Sequence, residues 1–267
     1  MQERVLSPEQ RERFIHSGFV VLRNVISQAI LDEALDVVIE TVPEDMTDFK
    51  ALVAGPDDRH YWNDLADMAP FYQLNEQLHT YAEELVGVDR LQPPSEFTQV
   101  AVRYPTGQLP STSEHPVTTV DGNPHIDIFG DSGELRPFTI GATTYLDDVH
   151  PRGGGLTIWP GTHWRVAEYL SEHGVDSYSN EKVGDMIGSR TTPFEVTGSA
   201  GTVVLWHNLL VHTGGCHLER EPRIAAFTRF RRSNETKTSH DAAKNPFKYW
   251  DGVKQKSSVP TDGSSFA

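Results

Sequence analysis

His125 and Asp127, two residues whose side chains bind metal ions, stand two positions apart in the segment PHIDIF. On a β-strand, residues two positions apart project to the same face, so this imidazole and this carboxylate would meet at one ion. The motif is weak by itself, because a chain with 12 histidines contains about one His-x-Asp pair by chance. A third ligand from elsewhere in the chain is therefore needed.

We predict that His212 is this third ligand, because it closes the apolar, strand-like run VVLWHNLLVH. Two histidines and one carboxylate leave three positions open on the metal, an arrangement associated with non-haem Fe(II) oxygenases. Zinc is the competing metal, but with these ligands it ordinarily serves hydrolysis and needs a general base beside it. Structural or exposed roles are favoured for five other histidines, namely His115, His150, His163, His207 and His217.

An iron centre of this kind needs two electrons beyond those of its substrate to activate O2. A 2-oxo acid supplies them by oxidative decarboxylation while it chelates the metal, and its remote carboxylate then needs a cation. Arg223 begins the strand-like run RIAAFTRF, and its planar guanidinium matches a carboxylate with two hydrogen bonds. The alternative is a surface arginine, since four others lie nearby: Arg220, Arg229, Arg231 and Arg232.

A β-rich region must position these residues. From Phe97 onward, short apolar runs recur between Gly and Pro turns. The runs are FTQVAVRY, PHIDIF, FTIGATTYL, GLTIWP, TTPFEV, GTVVLWH and RIAAFTRFRR. Short strands without helices between them indicate an antiparallel sandwich or barrel, of which the jelly roll is the form that buries both sheets.

Helices flank this region and make the front of the chain mixed in character. Predicted helices begin at the capping residues Ser7, Ser27 and Asn75 and near residue 164, and a strand is predicted over Phe19–Leu22. Residues 105–124 form a long polar stretch directly before His125. Because loops of this length in compact domains are usually functional or disordered, we expect this stretch to cover the site.

The composition favours one globular domain over residues 1–232, followed by a polar, partly packed tail over 233–267. A net charge of -15 argues against binding to nucleic acid or to a membrane surface, both of which need a basic face. The first residues lack the apolar core of a secretory signal, so a cytoplasmic location is expected. Cys216 is the single cysteine and is interpreted as a structural or incidental thiol.

The segments PHIDIF and GGGLTIWPGTHW, together with His212 and Arg223, resemble the phytanoyl-CoA dioxygenase family of Fe(II)/2-oxoglutarate-dependent oxygenases. The resemblance implies a double-stranded β-helix, a cupin-like jelly roll that is mainly β with flanking helices. It also implies Fe(II) held by His125, Asp127 and His212, and 2-oxoglutarate and O2 as co-substrates. The expected reaction is hydroxylation or a related C–H oxidation of a small molecule, since halogenating relatives carry Gly or Ala in place of Asp127.

One position departs from the family pattern, because Gly214 stands where a Ser or Thr often assists the co-substrate carboxylate. Candidates for this helper are Thr144, Tyr145 and Thr213, and candidate substrate contacts are Gln99 and Arg103, which share strand parity. Two alternatives stay open at this point. One is a jelly-roll metal-binding hydrolase or isomerase without 2-oxoglutarate chemistry, and the other is a catalytically silent binding protein.

Overall fold

A computed structural model describes residues 5–41, 59–62, 68–94, 98–105, 124–130, 134–188, 191–219 and 221–253. The α-helices within these ranges are α1 (Pro8–Ser17), α2 (Gln28–Thr41), α3 (Ala69–Val86), α4 (Thr162–His173), α5 (Val183–Ile187) and α6 (Glu235–Ala242). The strands are β1 (Phe19–Leu22), β2 (Arg59–Trp62), β3 (Thr98–Arg103), β4 (Ile140–Tyr145), β5 (Leu156–Ile158), β6 (Phe194–Glu195), β7 (Val203–His207), β8 (His212–Gly214) and β9 (Arg223–Phe230).

The strands form two antiparallel sheets. The larger sheet has the order β1-β7-β4-β9-β3-β2, and the smaller sheet has the order β6-β5-β8. Residues of both sheets line one cavity, as the predicted jelly roll requires. The prediction of a mainly β fold with flanking helices is confirmed.

Local sequence signals explain how the chain enters the larger sheet. The Ser7 side chain accepts a hydrogen bond from the Gln10 backbone at the start of α1, and the Gln10 side chain accepts one from the Ser7 backbone. Gly18 ends the helix with a φ of 81°, a left-handed conformation that glycine adopts without strain. The chain then continues directly into β1, which pairs with β7.

The larger sheet separates two apolar clusters because successive strand residues point to opposite faces. On β7, Val203 and Leu205 pack with the first three helices, whereas Val204 and Trp206 belong to the second cluster with Ile158 and α4. The second cluster surrounds the cavity that holds the predicted metal ligands. Strand alternation therefore assigns one face of the larger sheet to helix packing and the other to the site.

The start predicted for the third helix is wrong. Asn75 does not cap α3 but lies inside it, fully buried. Its side-chain amide donates to Thr98 Oγ1 at 2.8 Å, and its carbonyl oxygen accepts from Thr228 Oγ1 at 2.6 Å. These hydrogen bonds compensate for burying a polar side chain and join α3 to β3 and β9.

The prediction of a strand over PHIDIF is also wrong. His125 forms an isolated bridge with His212, and Asp127 lies in a turn. The chain reverses after this turn, because Arg136 donates its backbone N–H to the Ile128 carbonyl at 2.6 Å and Phe129 pairs with Leu135. Most of the stretch 105–124, predicted to cover the site, lies outside the described residues.

Residues beyond Arg232 remain attached to the core as far as Val253. Phe247 and Trp250 are buried against Phe14 of α1, with ring centroids 6.4 and 5.6 Å from that ring. Residues 254–267 of the predicted tail lie outside the described ranges. Within those ranges, no helix combines the length and the apolar character that crossing a membrane requires.

Two buried histidines in this aromatic cluster are expected to make stability depend on pH. The rings of His163 and His207 lie 5.3 Å apart, and burial lowers the pKa of both, to about 4 for His207. In the unfolded chain both histidines become protonated below pH ~6.5, whereas in the folded chain they stay neutral to a lower pH. Their contribution to stability is therefore complete above that pH and is lost as the pH falls towards 4, by up to ~1.4 kcal/mol per histidine and pH unit.

The measurement is urea unfolding between pH 7.5 and 4.5 of the wild type and of the variant His207→Gln. We expect the variant to lose part of the pH dependence. His173→Gln, at an exposed position on α4, serves as the matched control and should follow the wild type. Identical pH dependence in all three proteins would contradict the assignment.

Candidate metal centre

A cavity of about 390 Å³ lies between the two sheets. Its wall on the larger sheet consists of alternate residues of β3, β4 and β9, as strand geometry requires. The lining residues from these strands are Gln99, Ala101, Arg103, Thr143, Tyr145, Arg223, Phe227 and Arg229. The smaller sheet and the turn after its bridge complete the lining with Leu156, His212, Thr213, Gly214, His125 and Asp127.

The three predicted metal ligands lie together at this cavity. His125, Asp127 and His212 each offer one ligand atom, and these atoms lie within 4.8 Å of one another. Asp127 Oδ1 is 3.2 Å from His125 Nε2 and 3.5 Å from His212 Nε2. The backbones of His125 and His212 exchange two hydrogen bonds of 3.0 Å, which fixes the two imidazoles side by side. Residues that are distant in sequence thus form one candidate metal site.

The surroundings of His212 prepare its ring for metal binding. His212 Nδ1 lies 2.9 Å from the Leu210 carbonyl, which can only accept, so Nδ1 carries the proton. Nε2 therefore presents its lone pair towards Asp127 and the cavity. The Trp206 ring packs beside His212 with centroids 4.8 Å apart, and the Trp206 indole donates to Thr143 Oγ1 at 3.0 Å. These contacts fix both the tautomer and the orientation of a metal-ligating imidazole.

Asp127 is ionised despite its environment. Burial raises the pKa of Asp127, but the positive charge of Arg229 outweighs this effect and holds the pKa well below its usual range. Arg229 Nη2 lies 2.5 Å from Asp127 Oδ2. This role of Arg229 was not predicted from the sequence, although its even spacing from Arg223 on one strand places both arginines on the same face.

The donor set fits Fe(II) better than a hydrolytic zinc ion. Two neutral imidazoles and one carboxylate are the ligands that a non-haem iron oxygenase uses. A zinc hydrolase needs a further general base beside the metal. Among the described residues that line the cavity, Asp127 is the one carboxylate, and it belongs to the ligand set itself.

Two arginines meet at another part of the cavity wall. Arg223 and Arg103 are register partners on β9 and β3, and both are buried. Arg223 Nε donates to the Gly154 carbonyl at 3.0 Å. Gly154 has a φ of 75°, and a side chain there would come within 3.1 Å of Arg103 Cδ and 3.2 Å of the His217 ring. Glycine at this position thus leaves space for the Arg103 side chain and the His217 ring.

The structure places the three predicted helpers of Arg223 differently with respect to the cavity. Tyr145 lines the cavity, but its hydroxyl donates to the Val196 carbonyl at 2.7 Å and so has no second proton to donate. Thr144 points to the opposite face of β4, because it alternates with Tyr145 and is absent from the cavity lining. Thr213 is buried and lines the cavity beside the metal ligand His212 on β8, so it stays a candidate helper.

The predicted substrate contacts Gln99 and Arg103 do share one face of β3 and both line the cavity. Gln99 is the register partner of Phe227, and Arg103 is the partner of Arg223. Along β3 they are four residues apart, which corresponds to about 13 Å of strand. The structure therefore groups Arg103 with the predicted co-substrate arginine and leaves Gln99 nearer the middle of the wall.

Comparison with solved structures places this fold among known oxygenases. The chain is similar to SnoK, a non-haem α-ketoglutarate-dependent carbocyclase from nogalamycin biosynthesis, at 19% identity and a TM-score of 0.58, covering 85% of this chain and 84% of that chain. The chain is also similar to HygX from Streptomyces hygroscopicus, solved with nickel and 2-oxoglutarate bound, at 19% identity and a TM-score of 0.53, covering 86% of this chain and 88% of that chain. A third similar structure is EctD from S. alaskensis with 2-oxoglutarate and 5-hydroxyectoine, at 17% identity and a TM-score of 0.56, covering 88% of this chain and 79% of that chain.

A comparison with curated protein sequences gives no match. The model of the family "Phytanoyl-CoA dioxygenase (PhyH)", in contrast, matches residues 14–225, which include every predicted site residue. This match confirms the predicted family and, with it, a dioxygenase that has a non-haem iron centre and uses 2-oxoglutarate. The chain belongs to the phytanoyl-CoA dioxygenase family.

Proposed function

We propose that this protein oxidises a C–H bond of a small molecule, using Fe(II), O2 and 2-oxoglutarate. The single observation that carries the proposal is the convergence of His125, Asp127 and His212 on one wall of a cavity that also contains Arg223. When bound, iron and 2-oxoglutarate supply the activation of O2, with release of succinate and CO2. The protein residues bind and orient the reactants and limit the access of water.

Two cations favour one part of the cavity for the remote carboxylate of 2-oxoglutarate. Arg223 and Arg103 are buried neighbours, so a carboxylate that lies between them can pair with both guanidinium groups. Arg223 is also anchored through Nε to the Gly154 carbonyl, and it lines the cavity. We infer that Arg103 acts beside Arg223 on the co-substrate, in place of the substrate contact expected from the sequence.

The substrate is proposed to occupy the part of the cavity near Gln99 and Phe227. These two side chains are register partners on β3 and β9 and combine one amide with one aromatic ring. Such a wall suits a small molecule with both polar and apolar parts. A related fold, that of HygX, has been solved with nickel, 2-oxoglutarate and hygromycin B bound, at a TM-score of 0.51. The carboxylate of Asp127 favours hydroxylation or a related oxidation over halogenation.

The decisive experiment is an anaerobic titration of the Fe(II)-loaded protein with 2-oxoglutarate. We expect a visible charge-transfer band that saturates, because the 2-oxo acid chelates the metal through positions that the three protein ligands leave open. Asp127→Ala is the control and should give no such band. A metal-binding hydrolase or isomerase would bind iron without the band, and a silent binding protein would release no succinate with any substrate. Either result would reject the proposal.

A further inference from the structure

We propose that Arg229 is a positioning residue that reserves one oxygen of Asp127 for the metal, an inference that rests on the proposed iron site. The two carboxylate oxygens have different neighbours. Oδ2 lies 2.5 Å from Arg229 Nη2. Oδ1 faces the other ligands, at 3.2 Å from His125 Nε2 and 3.5 Å from His212 Nε2. One oxygen is thus held by a cation, and the other points to where the ligand atoms converge.

Asp127 needs such a holder because it lies in a turn outside both sheets. Arg229, in contrast, belongs to β9, an interior strand that pairs with β3 on one side and β4 on the other. Its guanidinium lies over the Phe138 ring, 5.8 Å from the centroid. The ion pair therefore links the orientation of a carboxylate on a turn to a strand that is hydrogen-bonded along both edges.

The wall behind Arg229 also supports His212. Gly141 is the register partner of Arg229 on β4, and a side chain at Gly141 would overlap the Trp206 ring. The Trp206 ring contacts Phe138 and His212, with centroid distances of 5.5 and 4.8 Å. The same aromatic residues thus support a metal-ligating imidazole and the arginine that holds the metal-ligating carboxylate.

The chemical consequence concerns the number of open positions on the metal. A carboxylate with both oxygens free can bind one metal ion through both and so occupy two positions. With Oδ2 in the ion pair, Asp127 offers Oδ1 alone, and the three protein ligands leave three positions open. A 2-oxo acid that chelates the metal would occupy two of these, and the third would remain for O2. Arg229 thereby keeps the site able to accept both co-substrates.

The test uses Arg229→Met, which removes the charge and the donors, and Arg229→Lys, which keeps the charge with a single donor group. Arg231→Met is the matched control, because Arg231 is exposed just beyond β9 and donates to the Pro137 carbonyl at 3.2 Å. In the first measurement, Co(II) alone is added, and its visible absorption reports the ligands and geometry around the ion. We expect a changed band shape in Arg229→Met, because a carboxylate that binds through both oxygens displaces one water from the ion, partial recovery in Arg229→Lys and a wild-type spectrum in Arg231→Met.

The second measurement is the anaerobic titration of the Fe(II)-loaded proteins with 2-oxoglutarate. We expect the apparent Kd of Arg229→Met to rise at least tenfold over that of Arg231→Met. A wild-type cobalt spectrum in folded Arg229→Met overturns the positioning role. Should this variant fail to fold by circular dichroism, Arg229→Gln takes its place under the same criterion. If the wild type gives no charge-transfer band but cobalt behaves as expected, the proposed function fails and the positioning role stands.

Discussion

Replacing His125 or Asp127 by alanine is expected to reduce turnover below detection while the fold is retained. Each side chain supplies one of the three protein ligands, and two ligands hold Fe(II) far more weakly than three. The fold should tolerate the change, because the His125 side chain is 38% exposed and neither residue belongs to an apolar cluster. The measurements are iron content, succinate release and the melting temperature.

His150→Ala is the matched control for these two variants, because His150 is an exposed histidine beside a turn outside the cavity. It should retain wild-type iron content and turnover. Turnover by either His125→Ala or Asp127→Ala with fresh Fe(II) would show that the proposed ligand set is wrong. Loss of the folded state in both would instead show that the site contributes to the core.

The second large effect is expected at Arg223, whose replacement by alanine should weaken the binding of 2-oxoglutarate far more than that of iron. Losing a buried, charge-assisted pair typically costs about 3–5 kcal/mol, or roughly two to four powers of ten in affinity. Arg223→Lys should recover only part of this, because an ammonium keeps the charge without the two-pronged geometry. The measurement is the half-saturation concentration of 2-oxoglutarate at saturating iron.

The variant Arg103→Gln tests whether the neighbouring guanidinium also binds 2-oxoglutarate. A rise in the half-saturation concentration of 2-oxoglutarate would assign Arg103 to the co-substrate, and a rise in that of the primary substrate alone would restore the assignment made from the sequence. An unchanged value in Arg223→Ala would contradict the role of Arg223. Arg103 would then be the next candidate rather than Arg229, which is paired with Asp127.

The sequence was most informative where one local signal determines the structure. The capping box at Ser7 and the glycine at position 18 define α1, and alternation along the run RIAAFTRF puts Arg223 on the cavity face of β9. The metal ligands could be predicted because a His-x-Asp pair followed by a histidine at the end of a strand-like run is typical of one kind of metal site. Family resemblance then connected them to one fold.

Other features depend on contacts between segments far apart in the chain, and a local sequence pattern does not predict such contacts. Asn75 resembles a helix cap in sequence, but its partners Thr98 and Thr228 keep it inside α3. Asp127 follows a strand-like pattern, yet the chain reverses there because Phe129 pairs with Leu135. The grouping of Arg103 with Arg223 required the register of β3 against β9.

The contact of Phe14 with Phe247 and Trp250 has a consequence for how the chain acquires its structure during synthesis. Translation proceeds from the N-terminus, so α1 leaves the ribosome long before the aromatic residues that cover it. The apolar face around Phe14 therefore stays exposed to solvent until almost the whole described chain has emerged from the ribosome. Contacts between such distant segments also form slowly, because the intervening chain must lose much of its conformational freedom first. Folding of this oxygenase is thus completed when Phe247 and Trp250 cover Phe14, and the nascent chain exposes a hydrophobic surface for chaperones to bind until then.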